Sequence, residues 1–245
     1  MKECLLFQLY GPMASWGQVA VGDQRPSDSQ PTKSAVLGLI SASLGVKREQ
    51  EELNQQINSS YGFAIRTDIQ GTLVQDFHTV EVPSSTSLRD SPHKTRSDEV
   101  KAIRAQDNPV VSKREYWCDS FHLIGIWERD NPPFNLEELK KALEFPKFNL
   151  SLGRKSCPLS LPMMPEIQKG ETLKEVFSSY QSNELYSPFT NRWPKGEKLL
   201  WFWDEDWENP GFENYIKTVR RDVSSSKDRW QFNERNENQW IEQID

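Results

Sequence analysis

Residues 4–10, Cys4-Leu5-Leu6-Phe7-Gln8-Leu9-Tyr10, are an apolar run stopped by Gly11-Pro12. A run this short with a glycine-proline boundary predicts a buried strand. The turn Gly11-Pro12-Met13-Ala14-Ser15-Trp16-Gly17 follows, then a polar loop carrying Arg25-Pro26. Pro31-Thr32-Lys33-Ser34 opens a helix over 31–44, with Pro31 early in the helix and Gly45 as its stop. Gly38 and Ala42 are four apart, so one helix face is small enough to lie close to a sheet. A strand, a glycine-bounded turn and a helix start with a lysine put backbone N–H groups and a cation where a phosphate can bind.

Further along, 47–57 reads as a second, polar helix and 61–68 as a strand, with Gly71 turning into 72–80 as a hairpin. Residues 81–112 break the pattern with Pro83, Pro92, Pro109 and a serine-threonine run. From there through Arg114 the stretch holds Arg89, Lys94, Arg96, Lys101, Arg104, Lys113 and Arg114. It reads as a projecting arm with a short helix near 98–104, although a solvated loop would share this composition. Strand character resumes at 114–119 and 121–127, a helix capped by Asn135 follows over 136–143, and 148–152 reads as a further strand ending in Gly153-Arg154-Lys155. Setting the arm aside, the order is β-α-β-hairpin-β-α-β. That predicts an α+β fold of RRM-like or ferredoxin-like type, an antiparallel sheet with two helices on one face. Residues 1–165 form this domain, with 81–112 as its insertion. Residues 166–245 read as a smaller β-rich part, with strands at 199–203 and 215–223 and a polar tail carrying Trp230, Phe232 and Trp240.

Composition narrows the functional classes. The net charge is −6, which argues against a free-standing, sequence-indifferent nucleic-acid binder. The imbalance sits mainly in 166–245, so a basic surface on the first part stays open. Nine Trp suit interfaces or base stacking, or simply large aromatics filling a lean core. Three cysteines, Cys4, Cys118 and Cys157, with no CxxC, argue against a disulfide framework or a cysteine zinc site. The amino-terminal Met1-Lys2-Glu3 lacks a signal-peptide pattern and no apolar run approaches 18 residues, so a cytoplasmic protein without a membrane role is expected.

Candidate chemistry is sparse. His78, His93 and His122 share no metal-ligand spacing, and no metal or cofactor is expected. Asp76 and His78 alternate on a strand and so share a face; an Asp-oriented base is one reading and a hydrogen-bonded pair the plainer one. Metal-independent ribonuclease chemistry could draw on His78 or Tyr116 with Lys113, but no spacing singles them out. Basic residues recur at turns, at Arg25, Lys33, Lys113-Arg114, Arg154-Lys155 and Arg220-Arg221. Pairs at strand and helix ends can converge on one groove, with Gly153 admitting a phosphate and Trp16 or Tyr116 stacking bases.

Five segments occur together and in order: Gly11 to Gly17; Pro31-Thr32-Lys33-Ser34-Ala35-Val36-Leu37-Gly38-Leu39; Asp76-Phe77-His78-Thr79-Val80; Arg114-Glu115-Tyr116-Trp117-Cys118-Asp119; and Leu152-Gly153-Arg154-Lys155-Ser156-Cys157-Pro158. They resemble the Cas-five family of CRISPR-associated proteins, in its CasD-like branch from type I-E Cascade complexes. Arg220-Arg221-Asp222-Val223 is similar to a basic strand in the C-terminal part of that family. The resemblance implies a non-catalytic subunit with an RRM-like domain and a thumb, here 81–112, that holds the 5′ handle of CRISPR RNA. Such subunits cap a backbone of CasC subunits, help seat the large subunit CasA, and meet target DNA through the assembled complex. It assigns handle contacts to Gly11, Pro12, Ser15, Trp16, Arg25, Lys33, Ser34, His78, Lys113, Arg114, Tyr116, Gly153, Arg154, Lys155, Arg220 and Arg221, the basic ones as surface groups. The aromatic octamer of RRM sheets is absent, so ordinary RRM stacking is not expected. The alternative is a metal-independent repeat endoribonuclease of the type I-C kind. Its catalytic groups have no clear counterparts in this sequence. A protein-only adaptor is the third reading.

Overall fold

A computed structural model of the chain describes residues 1–89, 94–181, 198–226, 229 and 231–244. His93 and Trp230 lie outside the described residues. The first strand, β1 (Lys2–Tyr10), is followed by the short β2 (Trp16–Gly17), β3 (Gln24–Arg25) and β4 (Ser27–Asp28), then helices α1 (Lys33–Leu44) and α2 (Glu51–Ser59). Next come β5 (Tyr61–Ile69) and β6 (Thr72–Val80), helices α3 (Ser85–Arg89) and α4 (Arg96–Lys101), then β7 (Val110–Cys118) and β8 (Phe121–Glu128). Helix α5 (Leu136–Glu144), β9 (Glu166–Gly170), α6 (Leu173–Ser178), β10 (Lys198–Asp204), β11 (Ile216–Ser226) and β12 (Gln231–Gln243) complete the order.

Seven strands form one sheet in the order β11-β12-β10-β5-β8-β1-β9, antiparallel at every pairing. Both faces are covered, which is why β1 reads as a continuous apolar run. Leu5, Phe7 and Leu9 enter a core with Val36, Leu37 and Ile40 of α1 and Leu139 and Leu143 of α5. Cys4 and Leu6 point the other way, into a cluster of α6 with Trp127, Trp201, Trp203, Trp207 and Phe212. Most described tryptophans are therefore core. The sheet face that an RRM leaves open for bases is here filled by aromatic side chains and α6.

The helix expected over 31–44 begins two residues later. Thr32 is its N-cap, with Oγ1 accepting from the Ala35 N–H, and Pro31 precedes the cap. Gly45, at φ 76°, ends it as predicted, its N–H donating back to Ala42 and Ser41 carbonyls.

The hairpin expected at 69–71 does not form, because β5 and β6 do not pair with each other. They run as one bent strand beside β8 and β7: Ile69 faces Phe121 and, past the bend, Thr72 faces Cys118. Gly71 (φ 80°) makes the bend, and a Cβ there would sit 2.2 Å from the Cys118 carbonyl. β5 is buried along most of its length and belongs in the sheet centre, whereas β6 is exposed. It pairs with β7 in a separate sheet, β3-β7-β6, and the described residues 81–89 and 94–109 lie at the far end of that ribbon.

The strand expected over 148–152 is also absent, leaving one bridge between Ser151 and Pro158. Phe148 is exposed, and the chain turns sharply at Gly153, so this stretch lacks the length and buried face a strand needs. β9 pairs with β1 instead. Residues 166–245 add β9 to one edge of the sheet and β10, β12 and β11 to the other. The tail that reads as polar contains the 13-residue β12, held between β10 and β11.

Candidate nucleic-acid interface

The start of α1 was expected to offer an N–H group and the Lys33 ammonium to a phosphate. The fold supplies its own anions instead. Lys33 is 2% exposed; its N–H donates to Asp222 Oδ2 at 2.8 Å and its Nζ to Asp204 Oδ2 at 2.6 Å. Burial pushes the Lys33 ammonium pKa down, and Asp204 pulls it back up. Lys33 is therefore not a surface ligand. The reason is that Asp204 also takes Arg129 (2.7 Å) and Arg235 (2.9 Å), making it the hub of a buried network in which Lys33 is one cation of three. Arg220 is likewise drawn inward, to Asp28 at 2.8 Å, Glu237 at 3.4 Å and Asp222 at 3.5 Å. The acidic run 204–208 thus begins as core chemistry: Asp206 accepts from Trp127 Nε1 and Arg129 Nε, each at 2.8 Å. Burial would raise its pKa, but those bonds and the Arg129 charge bring it to about 2.

Beside this network a groove of about 1000 Å³ runs over the small-residue face of α1. Its floor is Ser34, Ala35, Gly38, Ser41 and Ala42; one wall is 15–20 with Gly153 and Arg154, the other Arg221, Asp222, Ser224, Gln231 and Phe232. Arg48 also lines it. The small face does not pack on the sheet, as expected from Gly38 and Ala42, but is open: a Cβ on Gly38 would meet nothing within 4 Å. Of the predicted residues, the groove gathers Ser15, Trp16, Ser34, Gly153, Arg154 and Arg221. Gln18–Ala20, Gly38, Ser41, Arg48 and Phe232 join them unforeseen. The stripe of small residues on α1 was the visible signal for the floor; the groove wall from β12 had none.

Gly153 and Arg154 explain how distant segments meet. Gly153 adopts φ 85°, and a Cβ on it would lie 1.8 Å from the Ser15 carbonyl oxygen. Only glycine permits that approach, and Ser15 N–H then donates to Leu152 O at 3.0 Å. Arg154 donates to Glu115 O (3.2 Å) and Arg25 O (3.1 Å), and its guanidinium lies 4.8 Å from the Tyr116 ring centroid. Arg25 in turn pairs in register with Arg114 on β7. Arg25 and Arg114 are therefore neighbours of Arg154 through the β3–β7 pairing and the Arg25 carbonyl, while Arg154 itself lines the groove. Asp76, in register with Arg114 on β6, is the nearby carboxylate on this ribbon.

Other predicted residues lie elsewhere. Gly11 is buried under the Pro158 carbonyl, and Pro12 is exposed beyond the groove. Lys155 turns away from Arg154 and lines a separate hollow with Lys140, Pro158 and Leu159. Trp16 and Tyr116 are 2% and 8% exposed, so neither offers a ring face for stacking. His78 is exposed and lies 3.5 Å from Asp76. It pairs in register with Ser112, four residues and about 13 Å along β7 from Tyr116. Lys113 falls on the face of β7 opposite to both Tyr116 and Ser112, the register partner of His78, so neither His78 nor Tyr116 shares its face. The ribonuclease constellation of His78 or Tyr116 with Lys113 is thus not assembled. Among the described residues no group of three His, Cys, Asp or Glu side chains is arranged to hold a metal, and no helix is long and apolar enough to cross a membrane.

The sequence profile of the family described as CRISPR-associated protein (Cas_Cas5) matches residues 4–237, nearly the whole chain. The chain belongs to the Cas5 family. A relative in Escherichia coli (strain K12), the CRISPR system Cascade subunit CasD, is 33% identical over 190 residues, spanning 76% of this chain and 82% of that protein. Two solved structures share the fold. One, described as a CRISPR RNA-guided surveillance complex, aligns over 98% of this chain and 90% of its own, with TM-score 0.66 and 19% identity. The other, described as a Cas protein, aligns over 98% and 95% with TM-score 0.63 and 22% identity. In this Cas5 chain the matched region spans both walls of the groove, from 15–20 to Phe232.

Proposed function

We propose that this Cas5 chain is the non-catalytic subunit of a Cascade-type complex that grips the 5′ handle of CRISPR RNA, with the handle entering the groove over α1. The carrying observation is that one groove collects Ser15, Ser34, Gly153, Arg154 and Arg221 from segments far apart in sequence, with Arg154 bonded to the Arg25 carbonyl and Arg25 paired in register with Arg114. An apolar, small-residue floor with cations at the rim suits unpaired bases inside and phosphates at the edge. With Trp16 and Tyr116 buried, bases would lie on the α1 floor and against Phe232 rather than on an aromatic platform.

In this reading β5, β8, β1 and β9 are the RRM-like core. The ribbon of β6 and β7 with 81–109 is the thumb. The subunit works in the cytoplasm, caps a CasC backbone, helps seat CasA and meets target DNA through the assembly. The separation of Arg154 from Lys155 supplies a test. When the complex is purified through another subunit, Arg154→Glu should reduce co-purified CRISPR RNA strongly, and Lys155→Glu should leave it near wild type. Loss with Lys155→Glu and none with Arg154→Glu would overturn the placement.

A further inference from the structure

One wall of the groove comes from 15–20 and 153–154 and the other from the C-terminal part of the chain, and a carboxylate joins the second to the floor. Arg221, Ser224, Gln231 and Phe232 belong to the β11–β12 hairpin, whereas the floor is α1. Asp222 stands between them, 3% exposed. Its Oδ2 accepts from the Lys33 N–H in the first turn of α1 at 2.8 Å and from Arg235 Nη2 at 3.1 Å; its Oδ1 accepts from Arg235 Nε at 2.7 Å.

Asp222 also has no Cα partner on β12. Pairing steps from Arg221↔Glu234 to Val223↔Asn233, so Asp222 is the extra residue of a bulge. Bulges bend a strand and re-aim its side chains. Arg221, just before the bulge, is exposed at the rim, and its Nε donates to Phe232 O within the same hairpin. Where Arg221 stands over the floor therefore depends on how the hairpin is docked. Besides the pairing of β12 with β10, contacts such as Arg220 with Asp28 at 2.8 Å and Asn58 Nδ2 with Ser224 O at 3.3 Å tie the hairpin to other elements. Asp222 ties it to α1 itself. Its negative charge faces Arg235 and Arg220, which offset the repulsion a lone carboxylate would exert on a nearby phosphate.

We infer that Asp222 is a positioning residue for the RNA groove: it fastens the β11–β12 wall to α1 and thereby sets Arg221 over the floor. This rests on the groove being the RNA site. The test is a salt titration of a labelled single-stranded repeat RNA binding to the full chain. Each phosphate contact to single-stranded nucleic acid contributes about −0.7 to the slope of log K against log salt. Arg221→Gln should make the slope shallower by about 0.7, Asp222→Ala by a similar amount, and the double variant by no more than either. A wild-type slope for a folded Asp222→Ala, or a double variant shifted by the sum, would overturn the inference. If Asp222→Ala does not fold, Asp222→Asn keeps a hydrogen bond to Lys33 and should give an intermediate slope, with a wild-type slope again overturning it. Should Arg221→Gln itself leave affinity and slope unchanged, the groove reading fails rather than the role of Asp222.

Discussion

Replacing Lys33 separates the interior account of this residue from a surface one. Lys33 Nζ and Asp204 Oδ2 lie 2.6 Å apart with side chains 3% and 4% exposed. Removing one partner of a buried ion pair costs about 3–5 kcal/mol, mostly because the other charge is left bare. In Lys33→Met, Asp204 keeps Arg129 at 2.7 Å and Arg235 at 2.9 Å. It is not left bare, so the cost falls at the lower end, about 3 kcal/mol. For a chain of this size that lowers Tm by about 6–12 °C. Lys33→Glu is worse, since it sets a new carboxylate against Asp204 where a cation stood, beside Asp222 at the backbone N–H; a loss above about 5 kcal/mol is a large share of the total stability of a domain. Urea unfolding followed by tryptophan fluorescence, with thermal melts by circular dichroism, measures both. A Lys33→Glu variant as stable as wild type but weakened in RNA binding would refute the reasoning and restore Lys33 to the surface.

Two further outcomes follow from the same packing. His122 is fully buried, with Nδ1 2.9 Å from Thr67 Oγ1, and burial lowers its pKa to about 3. The neutral ring then favours the folded state in full above pH 6.5, and that contribution is lost as pH falls toward 3, reaching about 2 kcal/mol by pH 5. Urea midpoints should therefore drop between pH 8 and 5, and His122→Phe should flatten the drop; an unchanged pH dependence would contradict it. Gly153→Ala forces a left-handed φ on an L-residue and drives Cβ into the Ser15 carbonyl, so a loss of about 2 kcal/mol or more is expected, along with displacement of Arg154 from Tyr116. A melt within 1 °C of wild type would show that the approach of Gly153 to Ser15 is not as close as described.

Local signals in the sequence located much of the architecture. The apolar run at β1, the Gly45 stop and the Asn135 cap are where residue chemistry alone predicts them, because each depends on neighbours within a few residues. The failures involve distant partners. Gly71 reads as a hairpin turn, yet it bends a strand whose partner returns past 81–109. β12 looks like a polar tail because its strand is held by pairing on both edges and by Arg235 and Glu237 inside the ion network, which no local pattern reveals. At the site, Arg154, Gly153 and Ser15 were legible as a turn-borne basic patch. Lys33 and Arg220 were not legible as interior groups, because their partners Asp204 and Asp28 lie 171 and 192 residues away.

Filling the groove without disturbing the fold addresses the RNA site most directly. Gly38 sits inside α1 with open space where a side chain would project, and exchanging a helix glycine for leucine favours the helix by about 0.5–1 kcal/mol. Gly38→Leu should melt at or above the wild-type temperature and lose most binding to a single-stranded repeat RNA. Wild-type affinity in that stable variant would contradict the placement of RNA over α1.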